Sequence, residues 1–594
     1  MGHRAIGLLA LLAPATVGGL RGAPGARARG RAPARATCRA APRASAAVAV
    51  EPVEERDVVV IGSGLGGLSC ASLLAAAGLD VLVCESHYEL GGCAHEFCYR
   101  LDGTTVPSDK LQPGERVFRF ESGPSLYSGL SWTDGSPNPL KHVYEMIGEE
   151  PEWITFDRWG AFLPEAPDGY CVSIGASQFE QVLATYGGPT ALDDWRRLAA
   201  RLRPLTDGVK ALPAVAVRPD AGALLTVVAK YPRAVARTLQ DAARGLTRPF
   251  SEILREVAVT DRFLTNYLNM LAFLLQGLPS EGTLTAVMAY MIDDFFQKDA
   301  VMDFPVGGSG ALVGALARGV TKHGGSIRKG AHVEEILVEG GRAAGVRLRS
   351  GRCVRVRRAV VSNADLWSTF RMIPEGACAA LDAERAQLVP TKQCNSFVHL
   401  HVGFVADGLD TQIPPQWTVV KSWDVPIDAP QNVIVVSCGS MLDAQMAPEG
   451  HHVIHAYTAG CEPYELWAGL DRAGAEYAAL KAERAECLWQ AIERYIPDIR
   501  TRAKVSLVGT PLTCERYLRR DRGTYGPAIA AGEGTFPGVC TPLPGLFRCG
   551  DSTTAGIGVP AVAAGGAQAA NAIMGVGPQL RLNAKIKMPA RRSE

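Results

Sequence analysis

DVVVIGSGLGGLSCASLLAAAGLDVLVCE, residues 57–85, is the stretch that decides how this chain is read. Val58, Val59, Val60 and Ile61 form a short β-branched run, the composition of a strand covered on both faces. Gly62, Gly64 and Gly67 follow as G-x-G-x-x-G, with Gly66 in the same turn. The first glycine permits a tight turn, the second lets backbone lie against a pyrophosphate, and the third lets the next helix pack close to the strand. A helix is expected from Leu65, with its free N–H groups and positive dipole end aimed at the phosphates. Gly78 stops it, a second strand runs to Cys84, and Glu85 stands where a carboxylate accepts hydrogen bonds from ribose hydroxyls. Strand, glycines, helix, strand and acid in this order predict a Rossmann-like α/β unit that holds a dinucleotide.

Almost 500 residues later the chain reads GLFRCGDSTTAGIGVPAVAAGGAQAANAI, residues 545–573. It resembles the segment that flavoproteins fold back onto the same cofactor, which implies one FAD in a discontinuous domain. Gly550 and Asp551 follow a short strand; the resemblance sends the Asp551 carboxylate toward the ribityl and phosphate region. Gly558 and Val559 then open a helix whose first turn tolerates Pro560, because the missing N–H is not needed there. Backbone N–H groups at that end would favour negative charge on reduced flavin.

The formal net charge is +1, which gives no sign of a nucleic-acid partner. Residues 1–50 hold eight arginines and no acid or lysine; Ala5 to Ala13 is apolar. We read 1–52 as a targeting peptide, a signal-like segment followed by a transit-like one, and expect a plastid address. The fifteen cysteines show no C-x-x-C pair, as expected of a reducing compartment, and no metal site is expected from the scattered histidines.

The expected fold class is α/β: a discontinuous Rossmann-like FAD-binding domain, at 53–130, 300–372 and 503–580, with an inserted α+β substrate domain, at 131–299 and 373–502, and a tail at 581–594. The stretch 221–300 is rich in apolar helical faces. It reads as a helical subdomain or an apolar tunnel with a membrane-facing mouth, where Lys230, Arg233 and Arg237 accompany leucine and valine. Gly308, Gly310 and Gly314 mimic a dinucleotide motif, but Pro305 precedes them in place of a β-branched run, so no nicotinamide site is expected there.

Gly91-Gly92, just past Glu85, resembles the second glycine pair of the flavin amine oxidase and phytoene desaturase superfamily. GTPLTCERYLRRDRGTYGP (509–527), FPVGGSGALVGALARG (304–319), VVSNAD (360–365) and the closing GDSTTAGIGV come in the order of one branch. On these motifs the chain resembles the carotenoid (prolycopene) isomerase branch of the phytoene desaturase family. The resemblance implies bound FAD, adenine held by backbone near Val333, and a hydrophobic polyene or carotenoid substrate with peripheral membrane contact. By the same analogy Arg516, Tyr517 and Tyr525 stand near the substrate. FESGPSLYSGLS (120–131) is the segment that crosses near the flavin in relatives, so Glu121 is the candidate catalytic group; the branch has aspartate there and lacks the proline, a departure that points to a paralogue with altered chemistry. Isomerisation with reduced flavin is the expected chemistry; a polyene desaturase or saturase and a non-enzymatic prenyl-lipid carrier are the alternatives.

Overall fold

The computed structural model describes residues 54–589, apart from 242–244, 299, 411 and 555. The targeting peptide read at 1–52 and the last residues of the tail lie outside the described residues.

Two seven-stranded sheets organise the chain. The first runs Ser326–Arg328, Val81–Cys84, Glu54–Ile61, Cys353–Ser362, Arg342–Leu348, Val333–Glu339, with Leu546–Arg548 also paired to Cys353–Ser362. Glu54–Ile61 lies parallel to both Val81–Cys84 and Cys353–Ser362, so its end, where Gly62 follows, sits between two parallel neighbours. Val58 and Val60 pack into one core and Val59 and Ile61 into another. That split is the period-two signature of a strand buried on both faces.

Three helices cover one face: Leu65–Ala76, Gly308–Lys322 and Val559–Ile573. The first and last touch at backbone distance, since a Cβ on Gly566 would stand 2.3 Å from the Gly66 carbonyl oxygen. Small residues thus let these two helices pack backbone against backbone.

The second sheet is ordered Ala503–Gly509, His399–Val405, His451–Thr458, Val433–Ser437, Gln416–Val420, Arg158–Leu163, Ala166–Ser173. One face carries a helical subdomain that includes Arg262–Gln276 and Thr285–Phe295, and the other carries Ala475–Glu493. Ala503–Gly509 pairs with His399–Val405 and so belongs to this sheet, although the sequence reading assigns 503–580 to the cofactor domain. Its alternating run gave no sign of which sheet it would join. Among the described residues no helix is long and apolar enough to cross a membrane.

Candidate active site

A cavity of about 770 Å³ lies between the two sheets. One end is lined by Gly62, Gly64, Gly66, Glu85, Gly91 and Gly92 from the first fingerprint. Gly550, Asp551, Gly558 and Val559 come from the last one, and Val333 from the middle of the chain. The other end is made of rings and apolar side chains: Phe273, Leu274, Phe397, Tyr457 and Tyr525.

The first end is a cradle of backbone. Gly62 has φ +92°, a conformation that L side chains rarely adopt. A Cβ on Gly64 would reach Asn363 Nδ2 at 2.7 Å, and one on Gly66 would reach Asn363 Oδ1 at 2.8 Å and the Gly550 Cα at 2.9 Å. Asn363 therefore stands between the two distant fingerprints, its own N–H donating to the Ile61 carbonyl at 2.9 Å. In the sequence Asn363 is only one letter of VVSNAD; nothing local tells that it would meet residue 550. Gly67 does not line the cavity, because it packs under the turn, where a Cβ would stand 2.2 Å from the Gly62 oxygen.

Glu85 is buried and oriented. Its Oε2 accepts from Ser63 N at 2.8 Å and Ser63 Oγ at 2.6 Å, and its Oε1 from His87 N at 2.7 Å. Asp551 is paired with Arg520 at 2.6 Å. Burial opposes the Arg520 charge, but Asp551, Cys93 and Asp365 outweigh it and hold the guanidinium above its ordinary value. Arg520 also donates to the carbonyls of Thr524 and Tyr525. The run Arg519-Arg520-Asp521-Arg522 hides which arginine turns inward, and sequence reading missed it. Positive φ at Arg519 and Arg522 twists the chain so that Arg520 alone is deeply enclosed.

Glu121 does not line the cavity, contrary to the role expected for it. It ends the strand Phe118–Glu121, and its Oε1 accepts from Ser309 N at 2.9 Å at the start of Gly308–Lys322. Burial raises its carboxyl to about 8. Strand alternation turns Glu121 toward that helix and leaves Ser122, Gly123 and Pro124 to face the cavity. The helix N-terminus that mimicked a dinucleotide site is thus occupied by a carboxyl of the protein itself. Arg516 does not line the cavity either; it is exposed, its guanidinium over the Tyr517 ring at 5.4 Å. Tyr517 is at the cavity edge and Tyr525 deep in the wall, with its hydroxyl donating to the Leu274 carbonyl at 3.3 Å.

Beside Tyr457 stand three buried histidines from adjacent strands. His401 and His455 stack at 4.3 Å, and His399 Nδ1 lies 3.0 Å from His455 Nε2. Desolvation lowers His399 to about 4 and His401 to about 3, and lowers His455 well below its usual value. Among the described residues no cluster has the ligand set of a metal ion.

Residues 196–574 match the model of the flavin containing amine oxidoreductase family, and residues 60–144 match an NAD(P)-binding Rossmann-like domain. The protein belongs to that flavin-containing family and is an enzyme of the flavin oxidoreductase/isomerase group, with FAD as its cofactor. Among its relatives is the chloroplastic prolycopene isomerase of Arabidopsis thaliana, 28% identical over 87% of this chain and 82% of the relative. The all-trans-retinol 13,14-reductase of Danio rerio is 24% identical over 84% and 82%. An oxidoreductase from Methanosarcina mazei has the same fold, with TM-score 0.55 at 19% identity, over 86% of this chain and 98% of that one. The cradle fits FAD on its own geometry: side-chain-free backbone, two helix N-termini and an oriented acid line one cavity.

Proposed function

We propose that the protein is an FAD-dependent cis–trans isomerase of a hydrophobic, conjugated polyene of the carotenoid class, acting in a plastid. The observation that carries this reading is the continuity of the cavity from a phosphate cradle to a ring-lined apolar end. The resemblance to prolycopene isomerases along most of the chain supports it. FAD, when bound, supplies reversible electron donation to conjugated carbon.

The residues divide the work. Gly62, Gly64, Gly66, Gly91, Gly92 and Gly550 let backbone approach the cofactor, and Glu85 holds its ribose. Backbone at Val333 meets the adenine. The N-termini at Leu65 and Val559 add positive potential at the phosphates and at the flavin end. Asp551 and Arg520 form a neutral, buried pair that orients the floor. Phe397 and Tyr525, edge to face at 5.0 Å, exclude water and keep a flat chain in place. The residues at 131–299 and 373–502 form the substrate half.

The retinol reductases among the relatives favour a second reading, net reduction of a polyene double bond. Anaerobic incubation of photoreduced protein with a panel of cis-carotenoids separates the two. Isomerisation gives a product of equal mass, with the flavin still reduced after many turnovers. A product two hydrogens heavier, with one flavin oxidised per product, overturns the isomerase reading.

Peripheral membrane contact is the remaining element. Leu224 and Leu225 are 64% and 59% exposed, and the helix Pro232–Asp241 follows with Arg233 and Arg237. Apolar tips beside arginines suit an anionic lipid surface. Leu224→Asp with Leu225→Asp should reduce sedimentation with phosphatidylglycerol vesicles; unchanged sedimentation removes this surface from the reading.

A further inference from the structure

Behind the cavity wall, Glu121 stands beside a second enclosed acid. In the small sheet of Glu96–Tyr99, Thr105–Val106 and Phe118–Glu121, Glu121 is the cross-strand partner of Glu96, so the two side chains share one face. That face meets the first turn of the helix Gly308–Lys322. Ser309 N donates to Glu121 Oε1 at 2.9 Å, and a Cβ on Gly308 would stand 3.5 Å from the same oxygen. A Cβ on Gly310 would stand 2.9 Å from the Glu96 carboxyl carbon and from Glu96 Oε2. Glycine at 308 and 310 thus leaves room for two carboxyls over one helix turn.

Three acids meet too little positive charge there. Asp443 is the third, also enclosed, with its Oδ2 accepting from Gly307 N at 2.8 Å. The helix end supplies roughly half a unit charge. Arg119, 2.8 Å from Glu96 Oε1, supplies one more. The other polar neighbours bring none. His401 is held neutral and donates from Nε2 to the Glu121 carbonyl at 3.0 Å. Tyr127 and Tyr457 keep their phenolic hydrogens, and Cys98, 3.6 Å from Glu96 Oε1, stays a thiol. Glu89, a further acid near Glu96, is bonded to Ser108. A proton relieves the excess, and it belongs on Glu121, because the guanidinium is at Glu96. Glu121 Oε1 already accepts, so the hydrogen is on Oε2. Glu96 Oε2 is a buried acceptor without a partner among the described residues.

The end of this strand is wired to the cradle through backbone. Ser122 N and Oγ donate to the His95 carbonyl at 3.2 and 2.8 Å. A Cβ on Gly123 would stand 2.2 Å from the Cys93 oxygen, and one on Gly92 would stand 3.1 Å from the Gly64 Cα. A shift at Glu121 is therefore passed to the turn that faces the cofactor.

We propose that Glu121 and Glu96 share one proton and act as a positioning pair, latching Ser122–Gly123 and the Gly91-Gly92 turn in the form that holds FAD. The pair does not touch the cavity and acts only through the backbone between. The inference rests on the cofactor and is independent of the choice of polyene. Losing the proton leaves two like charges side by side and opens the latch. FAD is thus held at neutral pH and released as pH rises through about 8.

The test is titration of the full-chain apoprotein with FAD between about pH 6.5 and 9.5, read by quenching of flavin fluorescence. The dissociation constant should be level below about pH 7.5 and weaken about fivefold or more by pH 9.5, along a one-proton slope. The infrared stretch of a protonated carboxyl should vanish over the same step. Glu121→Gln keeps a neutral group of the same shape that donates to Glu96 Oε2, and should hold FAD level to within about twofold across the range. Glu96→Gln removes the neighbouring charge and should move the step to lower pH. Wild-type affinity that does not change with pH overturns the latch and leaves the cofactor standing; no FAD binding at any pH overturns both. A step that persists in Glu121→Gln, or stays in place in Glu96→Gln, belongs to another group and overturns the proposal. Should a variant fail to fold, the wild-type carboxyl band decides, since an alkaline step without its loss overturns the shared proton.

Discussion

The two ends of the one cavity are built from opposite materials. At the dinucleotide end the wall is main chain, with the Asn363 side chain set among Gly64, Gly66 and Gly550. At the far end the wall is side chain, a set of rings with the neutral His399, from segments between residues 273 and 525. A backbone wall has little latitude, because any added carbon collides. A side-chain wall can change its rings while the strands behind it stay where they are. Cofactor choice is therefore tied to the fold, and ligand choice is tied to a few replaceable tips.

This contrast can be broken most sharply with acid. His95, His399, His401 and His455 are held neutral by burial, with folded values well under the unfolded 6.5. The stability they contribute is complete above pH 6.5 and is lost as pH falls toward 4. The unfolding free energy should drop by about 1.4 kcal/mol per pH unit for each histidine in that window. Urea titrations between pH 7 and 4.5 give the slope, and a slope of fewer than two protons would show that the ring wall is wetter than described. Glu121 runs the other way: its folded value of about 8 lies above the unfolded 4.5. Its contribution is present below 4.5 and is lost as pH rises through 8, so Glu121→Gln should flatten the alkaline limb.

At the junction of the two ends, Arg520→Met should cost about 3–5 kcal/mol, since it leaves the enclosed Asp551 carboxylate without its partner. Thermal unfolding with and without added FAD checks it, and a loss below 1 kcal/mol would place the pair in solvent. Gly64→Val tests the backbone wall alone. Asn363 can give way to the new side chain, so the fold should persist while FAD affinity falls by about 100-fold or more. Normal flavin absorbance per protein after gel filtration would contradict the cradle. The smallest effect is expected for Arg516→Ala. Among the described residues its exposed guanidinium touches only the Tyr517 ring, so stability should change by less than about 0.5 kcal/mol and flavin content by less than about twofold. A larger loss of activity at saturating FAD would return Arg516 to the substrate path.

Legibility in the chain followed the same division. The strand, turn, helix and acid of 57–85 could be read residue by residue, because each is determined by neighbours within a few positions: β-branching, glycine turns and an apolar run. The closing fingerprint was readable for the same reason. Glu121 was misplaced because a four-residue strand does not announce which neighbour its last side chain will face. Arg520 was hidden in a run of basic residues whose inward member depends on the twist at Arg519 and Arg522. The histidines carried no metal-ligand pattern in the sequence; only the register of His399–Val405 against His451–Thr458, which sets His401 opposite His455, reveals a stacked wall.

Sequence by itself therefore determined that this chain has a dinucleotide-type strand, glycine turn and helix, and that it belongs with flavin-dependent enzymes. Such sites are made of local conformation, and local conformation is written in short-range patterns of glycine and β-branched residues. Tertiary structure alone decided that Asn363 joins the two segments, that Arg520 neutralises Asp551, that Glu121 caps a helix, and that His401 stacks on His455. Those are contacts between residues tens to hundreds of positions apart. Their energies come from burial and pairing, which exist only after the two sheets have closed on the cavity between them.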